Sequence, residues 1–351
     1  MANLFIQTAF LGDLFLSIPA LKKLKSMNPD EELWLFCRSG FGQLFKDLKL
    51  INSYVEVNKA DGSWKKAKLQ LQTQSYNYTV SVHQSFRTAA IVASLSSKHK
   101  IGYYHWWNFW AYHQRALRNM AWPEALRQLH LLSLLDNNLK QQFEILSQQK
   151  YFMNSHTQLD LKNNTPLPAW ASASILKELT QLNISLDRFA LPEQYIAISP
   201  GSVWPTKRWS EQNFVELINK LPYPVVLLGS REEAELCARI AAHDKQSINL
   251  GGKTSLLETL EILSHAKLTI SNDSGAQHMA AAVECPVVSI FGPTVLSFGY
   301  RPWIQKARVV ELDLACRPCG KHGAKSCPLG THECMQKLSP DSVYDSVKDF
   351  L

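Results

Sequence analysis

The sequence predicts an α/β protein built from two doubly wound halves. Apolar, strand-like runs alternate with segments of helical apolar spacing between residues 3 and 103, and the same alternation restarts at Tyr195. This rhythm is typical of parallel sheets that carry helices on both faces. A length of 351 residues is ample for two hydrophobic cores. With a boundary near 165–190, we predict domains at 1–175 and 190–351.

In the first half, five apolar runs are predicted to be strands. Asp13 is predicted to lie on a loop after the first of them, next to Gly12, and a helix with Pro19 near its start comes after it. A proline is tolerated there because the first N–H groups of a helix have no partner within the helix. The predicted strands are 3–9, 31–38, 53–58, 77–83 and 100–103, with helices at 41–48, 63–73 and from Arg87 to about Leu95.

The stretch 103–133 interrupts the rhythm with aromatic and basic residues. It contains four tryptophans, at positions 106, 107, 110 and 122, and the arginines Arg115 and Arg118. Such a mixture suits a membrane interface, a sugar-stacking cleft, or simple packing in the first core, and all three interpretations stay open here. Segment 135–165 is polar with little periodicity, and a helix is predicted at about 170–182.

In the second half, a buried strand repeatedly runs into a polar loop and then a helix. Helix 255–265 opens with the capping box Ser255 to Glu258, and Ser339 caps the last helix. The predicted strands are 195–199, 224–228, 247–249, a short run from Thr269, 286–291 and 307–311, with helices at 211–220, 231–243 and from Ala276.

Composition and missing motifs exclude several classes of protein. No apolar run approaches the roughly 20 residues that span a bilayer, and the first ten residues already resemble a strand. A cytoplasmic protein is therefore expected. The chain lacks a complete G-x-G-x-x-G motif and a Walker A loop, which disfavours nicotinamide cofactors and P-loop chemistry. The net charge of +7 suits an anionic partner without identifying it.

Four of the seven cysteines cluster near the end of the chain. Cys316, Cys319, Cys327 and Cys334 are spaced C-x₂-C-x₇-C-x₆-C. A structural Zn²⁺ site is one interpretation, because thiolates suit tetrahedral zinc. The spacing matches no standard finger, so reduced cysteines that pack a loop are the other interpretation.

Three loops of the second half are predicted to converge, because the carboxyl ends of parallel strands share one edge of the sheet. In the first loop, Gly201 permits close backbone approach, Ser202 and Thr206 offer hydroxyl groups, and Lys207 and Arg208 bring positive charge. These groups suit a diphosphate.

The second loop carries Glu232 and Glu233, one of which is a candidate for binding ribose hydroxyls. Glutamates that complement a helix dipole are the alternative. The third loop is Asp273-Ser274-Gly275, where a strand ends and a helix begins, as in sites that bind anions through backbone N–H groups. Its alternative role is an ordinary helix start with Asp273 as the N-cap.

Several of these segments together resemble glycosyltransferase family nine, the ADP-heptose:lipopolysaccharide heptosyltransferases. The segments GDLFLSIPALKKLK, PGSVWPTKRW, NDSGAQHMAAA and SIFGPT occur in the family's order. CRPCG…CPLGTHECM is similar to the C-terminal signature of the second-heptose branch. The middle of the chain, about 100–190, matches no motif of the family.

The resemblance implies a GT-B architecture, with two Rossmann-like domains facing across a cleft. An N-terminal domain would bind the acceptor and a C-terminal domain the nucleotide-heptose, with inverting transfer to the inner core of lipopolysaccharide. Asp13 matches the catalytic base, Lys207 the lysine at the donor phosphates, and Thr206 a hydroxyl donor. Asp273-Ser274-Gly275 matches the donor-binding turn, and Glu232 or Glu233 the ribose contact.

Chemistry agrees with these implied roles. Inverting transfer needs one base on the acceptor hydroxyl and neutralisation of the departing diphosphate. No Asp-x-Asp triplet is present to hold Mg²⁺, so we expect no required cofactor, with Lys207, Arg208 and the helix end at Ser274 in its place.

The expected partners are ADP-heptose and a lipopolysaccharide core acceptor at the inner membrane face, with a peripheral membrane location and no nucleic acid. Arg87, Arg115 and Arg118 are acceptor-side candidates, because such an acceptor carries carboxylates and phosphates, and Gly12, next to Asp13, is a further acceptor-side candidate. The alternatives are another donor sugar or acceptor, a sugar-nucleotide epimerase or hydrolase, and a binding protein without catalysis.

Overall fold

The computed structural model describes residues 1–58, 61–148 and 167–351, which form two compact units. The first unit comprises the described residues up to 148 together with 168–173. The second comprises Leu167 and 174–351.

Six parallel strands form the sheet of the first unit, in the order β3-β2-β1-β4-β5-β6. The strand order reverses between β1 and β4, and the carboxyl ends at such a reversal are where open α/β sheets bind ligands. The strands are β1 Ala2–Gln7, β2 Glu32–Arg38, β3 Ser53–Val57, β4 Ser75–Ser81, β5 Ser96–Tyr103 and β6 Gln114–Ala116.

Helices follow most strands of this unit. The central strand β1 is buried along its whole length, as expected for a strand covered on both faces. The helices are α1 Leu11–Leu16, α2 Ile18–Met27, α3 Gly42–Asp47, α4 Trp64–Leu71, α5 Phe86–Ala93, α6 Glu124–His130 and α7 Asn137–Gln148, with 3₁₀ turns at Leu131–Leu134 and Ala169–Ala171.

The second unit repeats this architecture, with parallel strands in the order β9-β8-β7-β10-β11-β12. Its reversal lies between β7 and β10, the counterparts of β1 and β4. The strands are β7 Ile196–Ser199, β8 Val225–Leu227, β9 Ile248–Asn249, β10 Leu268–Asn272, β11 Val287–Phe291 and β12 Ala307–Glu311.

Seven further helices are described in the second unit. They are α8 Leu176–Thr180, α9 Glu211–Ile218, α10 Ala234–Ala241, α11 Leu256–His265, α12 Gly275–Ala282, α13 Glu333–Gln336 and α14 Pro340–Lys348. Short 3₁₀ turns lie at Asp187–Phe189, Pro205–Lys207, Arg231–Glu233 and Leu296–Phe298.

The predicted class is confirmed: the chain is α/β, with two Rossmann-like, doubly wound halves. The predicted caps are present as well. Ser255 Oγ accepts from the Glu258 N–H at 3.2 Å, and Glu258 Oε2 accepts from the Ser255 N–H at 2.8 Å. Ser339 Oγ accepts from the Ser342 N–H at 3.2 Å at the start of α14.

The structure corrects one expectation about the middle of the chain and shortens another. Residues 137–148 form the regular helix α7, whose Leu139, Phe143 and Leu146 are buried at helical spacing. The glutamines and asparagines between them masked this period. The predicted helix 170–182 is a 3₁₀ turn followed only later by the short helix α8. The rest of the predicted polar segment, 149–165, lies outside the described residues.

Within the ranges that the structure describes, no helix combines the length and the apolar character that crossing a membrane requires.

Candidate functional site

Asp13 lies at the carboxyl end of β1, in the first turn of α1. The sequence placed it on a loop, but α1 already begins at Leu11, so this expectation is corrected. Asp13 Oδ2 accepts from the Phe10 N–H at 3.1 Å, which satisfies a backbone donor that the helix leaves unpaired. Gly12 is buried in the same turn.

Ser17, between α1 and α2, and side chains from α6 connect this turn to a second carboxylate. Ser17 Oγ lies 2.8 Å from the Asp13 carbonyl oxygen and 2.5 Å from Gln128 Oε1. Gln128 Nε2 in turn donates to Glu124 Oε1 at 3.2 Å. Glu124 and Gln128 are both buried. The position of α1 is therefore tied to the buried carboxylate of α6.

The surroundings of Asp13 disfavour its ionised form. Burial raises the pKa of its carboxyl from 3.8 to about 7, and the negative charge of Glu124 adds to that rise. The Phe10 N–H and the charge of Arg118 act in the opposite direction. A carboxylate whose pKa lies near the working pH is suited to accept a proton during a reaction.

The three arginines predicted for the acceptor differ in their contacts. Arg118 binds Glu124 Oε2 directly, and Arg127 Nη1 lies 3.3 Å from the same oxygen. Arg115 lies over the Tyr104 ring, with its guanidinium carbon 5.1 Å from the ring centroid. Arg87 is exposed at the start of α5, after β4. Of these three arginines, Arg118 is the one that joins the Asp13 surroundings.

In the second unit, Asp273 and Lys207 meet at the carboxyl ends of β10 and β7. Lys207 Nζ lies 2.6 Å from Asp273 Oδ2, and both side chains are buried. Thr294 donates to the same oxygen at 2.6 Å, and Gln277 Nε2 donates to Oδ1 at 2.9 Å. Three donors thus stabilise the Asp273 carboxylate, which holds the ammonium group of Lys207 in place.

Asp273 is not the N-cap of α12, which was the alternative role considered for it. The N-cap is Ser274, whose Oγ accepts from the Ala276 N–H at 3.4 Å, while Asp273 bonds to side chains. Gly275 is the first residue of α12 and is half-buried. The expected anion-binding helix end is therefore formed by Ser274 and Gly275.

His278 lies one residue beyond Gln277 and is buried. Burial lowers the pKa of its imidazole to about 4, with Asp273 opposing and Lys207 adding to that shift. It is therefore neutral at pH 7. His278 Nδ1 and Gln277 Oε1 are buried without a hydrogen-bond partner among the described residues.

Sequence reasoning missed Gln277, His278 and Thr294. The available signal was the four-residue spacing from Asp273 to Gln277, which places both on one side of a helical turn.

The loop after β7 is held by its own residues and by the cysteine-rich segment. Arg208 is exposed, and its Nε donates to the carbonyl oxygen of the buried Ser202 at 2.8 Å. Thr206 Oγ1 donates to the Ala324 carbonyl at 2.5 Å, and His332 Nε2 lies 2.7 Å from the Thr206 carbonyl. The Thr206 hydroxyl, which was expected to contact the sugar-nucleotide donor, is hydrogen-bonded to the Ala324 carbonyl instead.

The absence of a side chain at Gly201 leaves room for the Glu233 carboxylate next to it. A Cβ atom at this position would lie 1.9 Å from Glu233 Oε1, far inside van der Waals contact. Glu233 is held by the Ser230 N–H, which donates to its Oε2 at 2.8 Å. Glu232 is exposed, and hydrogen bonds from its own N–H and the Ser230 side chain lower its pKa. Glu233, rather than Glu232, lies against the loop of Gly201.

The four clustered cysteines differ in exposure. Cys334 is buried, Cys316 is exposed, and the other two are intermediate. Cys327 Sγ accepts from the His332 N–H at 3.3 Å, and Cys319 Sγ lies 3.3 Å from the Cys316 carbonyl. Among the described residues, no three histidine, cysteine or acidic side chains are grouped to hold a metal ion. The zinc interpretation finds no support in this arrangement.

Comparison with known proteins is consistent with this architecture. The chain is 27% identical over 352 residues to lipooligosaccharide heptosyltransferase 2 of Campylobacter jejuni, covering 97% of this chain and 96% of that protein. The structure of E. coli ADP-heptose lps heptosyltransferase II covers 100% of this chain and 98% of its own at 22% identity, with a TM-score of 0.71. E. coli heptosyltransferase WaaC with ADP covers 100% of both chains at 19% identity, with a TM-score of 0.73.

Those two structures establish the likeness of fold. A family model described as glycosyltransferase family 9 (heptosyltransferase) matches residues 64–329, which is most of the chain. The chain therefore belongs to glycosyltransferase family 9, the heptosyltransferase family.

Proposed function

We propose that this glycosyltransferase transfers a heptose from ADP-heptose to the inner core of a lipopolysaccharide, with inversion at the anomeric carbon. The observation that carries the proposal is Asp13, a carboxyl at the carboxyl end of a central strand whose pKa is raised to about 7. Family membership supplies the reaction class. The names of the relatives supply the donor and the acceptor that we carry over to this chain.

In this proposal Asp13 is the base. An alcohol is far too weak an acid to be deprotonated beforehand by a carboxylate, so the proton moves to Asp13 as the bond to the anomeric carbon forms. Burial and the nearby Glu124 charge make the Asp13 carboxylate a stronger base than a solvated aspartate. Glu124 and Gln128 are positioning residues, because Gln128 bonds to Ser17 at the end of α1 and Glu124 bonds to Gln128.

The second unit would bind the donor. Lys207 has three N–H donors and uses one on Asp273, so the pair presents an ammonium group of fixed position to a diphosphate. The backbone N–H groups at Ser274 and Gly275 begin α12 and favour an anion there. Together with Arg208 they would stabilise the ADP leaving group without a required metal ion. Glu233 is the candidate for the ribose, because it lies against Gly201.

The first unit would bind the acceptor. Arg118, Arg115 and Arg87 supply positive charge for the carboxylates and phosphates of an inner core. Since Arg118 already contacts Glu124, its role would be shared between orienting the Asp13 surroundings and attracting the acceptor. The expected location is the cytoplasmic face of the inner membrane.

The test is ADP release from ADP-heptose with and without an inner-core acceptor. We expect release that depends on the acceptor, and a loss of about 10²–10⁴-fold in kcat for Asp13→Ala, with unchanged donor affinity. Asp30→Asn is the matched control, because Asp30 is exposed on the same unit.

Near-wild-type turnover in Asp13→Ala would refute the assignment of the base. ADP release at the same rate without acceptor would instead indicate a hydrolase or epimerase.

A further inference from the structure

One surface of the first unit has no role in the proposed reaction. It consists of Phe86 at the start of α5 and the turn 104–110 after β5, and we call it the aromatic surface. Three of its side chains are strongly exposed: Trp106 at 80%, Phe109 at 68% and Phe86 at 66%. Isolated exposed apolar residues are normal, but a contiguous group of large ones marks an interaction surface.

Three aromatic side chains of this surface and one histidine contact one another, and Trp106 and Phe109 belong to the same turn. The Phe86 ring lies 5.7 Å from the rings of both Trp107 and Trp110, measured between centroids. Trp107 stacks on His105 at 5.4 Å, and His105 Nε2 lies 3.0 Å from Gln84 Oε1. Segments after two neighbouring strands, β4 and β5, are thus joined into one surface.

The interpretation that these rings pack in the core holds for Trp122 and in part for Trp107, which packs against the core of the first unit. It does not hold for Trp106, Phe109 and Trp110, which are exposed. Trp122, from the same sequence segment, is buried and stacks on Phe143 at 4.9 Å. Trp106 and Phe109 point outward from the chain instead. A sugar-stacking cleft would also place rings in a concavity, which does not suit a tryptophan exposed at 80%.

Charge indicates the kind of partner. Residues 62–123 contain eight lysines and arginines and no aspartate or glutamate, so the excess of positive charge in the chain is concentrated there. Lys65 and Lys66 are exposed in the first turn of α4, and the exposed Arg87 lies over the Trp64 ring of that turn, 4.9 Å from its centroid. Basic groups therefore border the aromatic surface.

We propose that the aromatic surface docks on a bilayer rich in anionic phospholipids. Tryptophan and phenylalanine rings insert into the headgroup region. Their apolar surface contacts lipid there, while the surrounding headgroups remain hydrated. The bordering lysines and arginines meet the lipid phosphates. The surface would bring the enzyme to acceptors that sit in a membrane, in addition to the chemistry proposed above.

The test is co-sedimentation of the full chain with vesicles of phosphatidylglycerol and phosphatidylcholine, compared with vesicles of phosphatidylcholine alone. Wild type should bind the anionic vesicles at least tenfold more tightly, and the difference should shrink in high salt. Trp106→Ser with Phe109→Ser should weaken binding to anionic vesicles at least tenfold. Lys65→Gln with Lys66→Gln should weaken it about fivefold for each charge removed.

Ile145→Ser with Leu329→Ser is the matched control, because both residues are exposed apolar side chains outside the aromatic surface. This variant should bind as wild type does. Equal binding by wild type and the Trp106/Phe109 variant would overturn the proposal. So would self-association of wild type that the variant abolishes without any vesicle binding, since the partner would then be a second copy.

Transfer to an acceptor fragment free in solution separates this result from the proposed reaction. The Trp106/Phe109 variant should retain that activity and lose transfer to acceptor embedded in vesicles. A wild type that binds vesicles but transfers to neither acceptor would refute the reaction and leave the docking surface standing.

Discussion

The two sheets share one strand order, yet they treat the aspartate at their central reversal in opposite ways. Asp13, after β1, lies near a second carboxylate, and its pKa is raised to about 7. Asp273, after β10, accepts from a lysine, a threonine and a glutamine. The ionised form of Asp13 is thus disfavoured by its surroundings, whereas the Asp273 carboxylate is paired with the ammonium group of Lys207. Topology sets where a functional group lies, and its neighbours set what that group does.

The largest expected effect comes from breaking the Lys207–Asp273 pair. Asp273→Asn leaves a buried ammonium group without its counter-charge, so the free energy of unfolding should fall by about 3–5 kcal/mol. Urea denaturation at pH 7.5 measures this loss. Lys207→Met combined with Asp273→Leu should cost less than Asp273→Asn alone, because no buried charge is left unpaired. If Asp273→Asn unfolds like wild type, the pair is not a structural element.

Asp13→Asn should instead raise the free energy of unfolding at pH 8. Ionising Asp13 disfavours the folded state, because its folded pKa is raised above the ordinary value of 3.8. Wild-type stability should therefore decline as pH rises from about 4 to above 7. At pH 8 the variant should exceed wild type by about 1–2 kcal/mol in the free energy of unfolding. Urea denaturation at pH 4 and pH 8 checks this, with equality of the two proteins expected at pH 4.

Glu124→Gln tests whether the second carboxylate, Glu124, helps to set the pKa of Asp13. Removing its negative charge should lower the pKa of Asp13, because Glu124 helps to raise it. The acid limb of kcat/KM against pH should therefore move to lower pH. The rate at pH 7 should change by less than about tenfold, since Gln can still accept from Gln128. Glu216→Gln on α9, in the other unit, is the control. If the pH profile does not move, the charge of Glu124 does not influence the pKa of Asp13.

The smallest effect is expected from removing divalent cations. If Lys207, Arg208 and the start of α12 stabilise the diphosphate, excess EDTA should change kcat by less than about twofold. Complete loss of transfer, restored by Mg²⁺, would contradict the proposal that these residues stabilise the diphosphate without a metal ion.

Sequence patterns predicted the fold because strands and helices leave periodic apolar signatures. Both central strands, β1 and β7, appeared as buried apolar runs, and the caps at Ser255 and Ser339 rest on contacts between residues three apart. Such local signals survive without knowledge of tertiary structure. Helix α7 was missed because three buried residues among polar neighbours make a weak pattern.

The contacts within the site were harder to predict from the sequence, because they join segments that are distant along the chain. Lys207 and Asp273 are 66 residues apart, and Ser17 meets Gln128 across 111 residues. The resemblance to the family indicated Asp13, Lys207 and Asp273 but not the side chains that act on them. Glu124 carries no sequence signal as a neighbour of Asp13, since only folding brings α6 to α1.

The contact between Gly201 and Glu233 has a consequence for how such chains diverge. The carboxylate of Glu233 occupies the space that any side chain at position 201 would need. A larger residue at 201 therefore either displaces the Glu233 carboxylate from the Ser230 N–H or favours a shorter residue at 233, so the two positions are expected to covary across homologues. A collection of homologous sequences would display that covariation without any activity measurement.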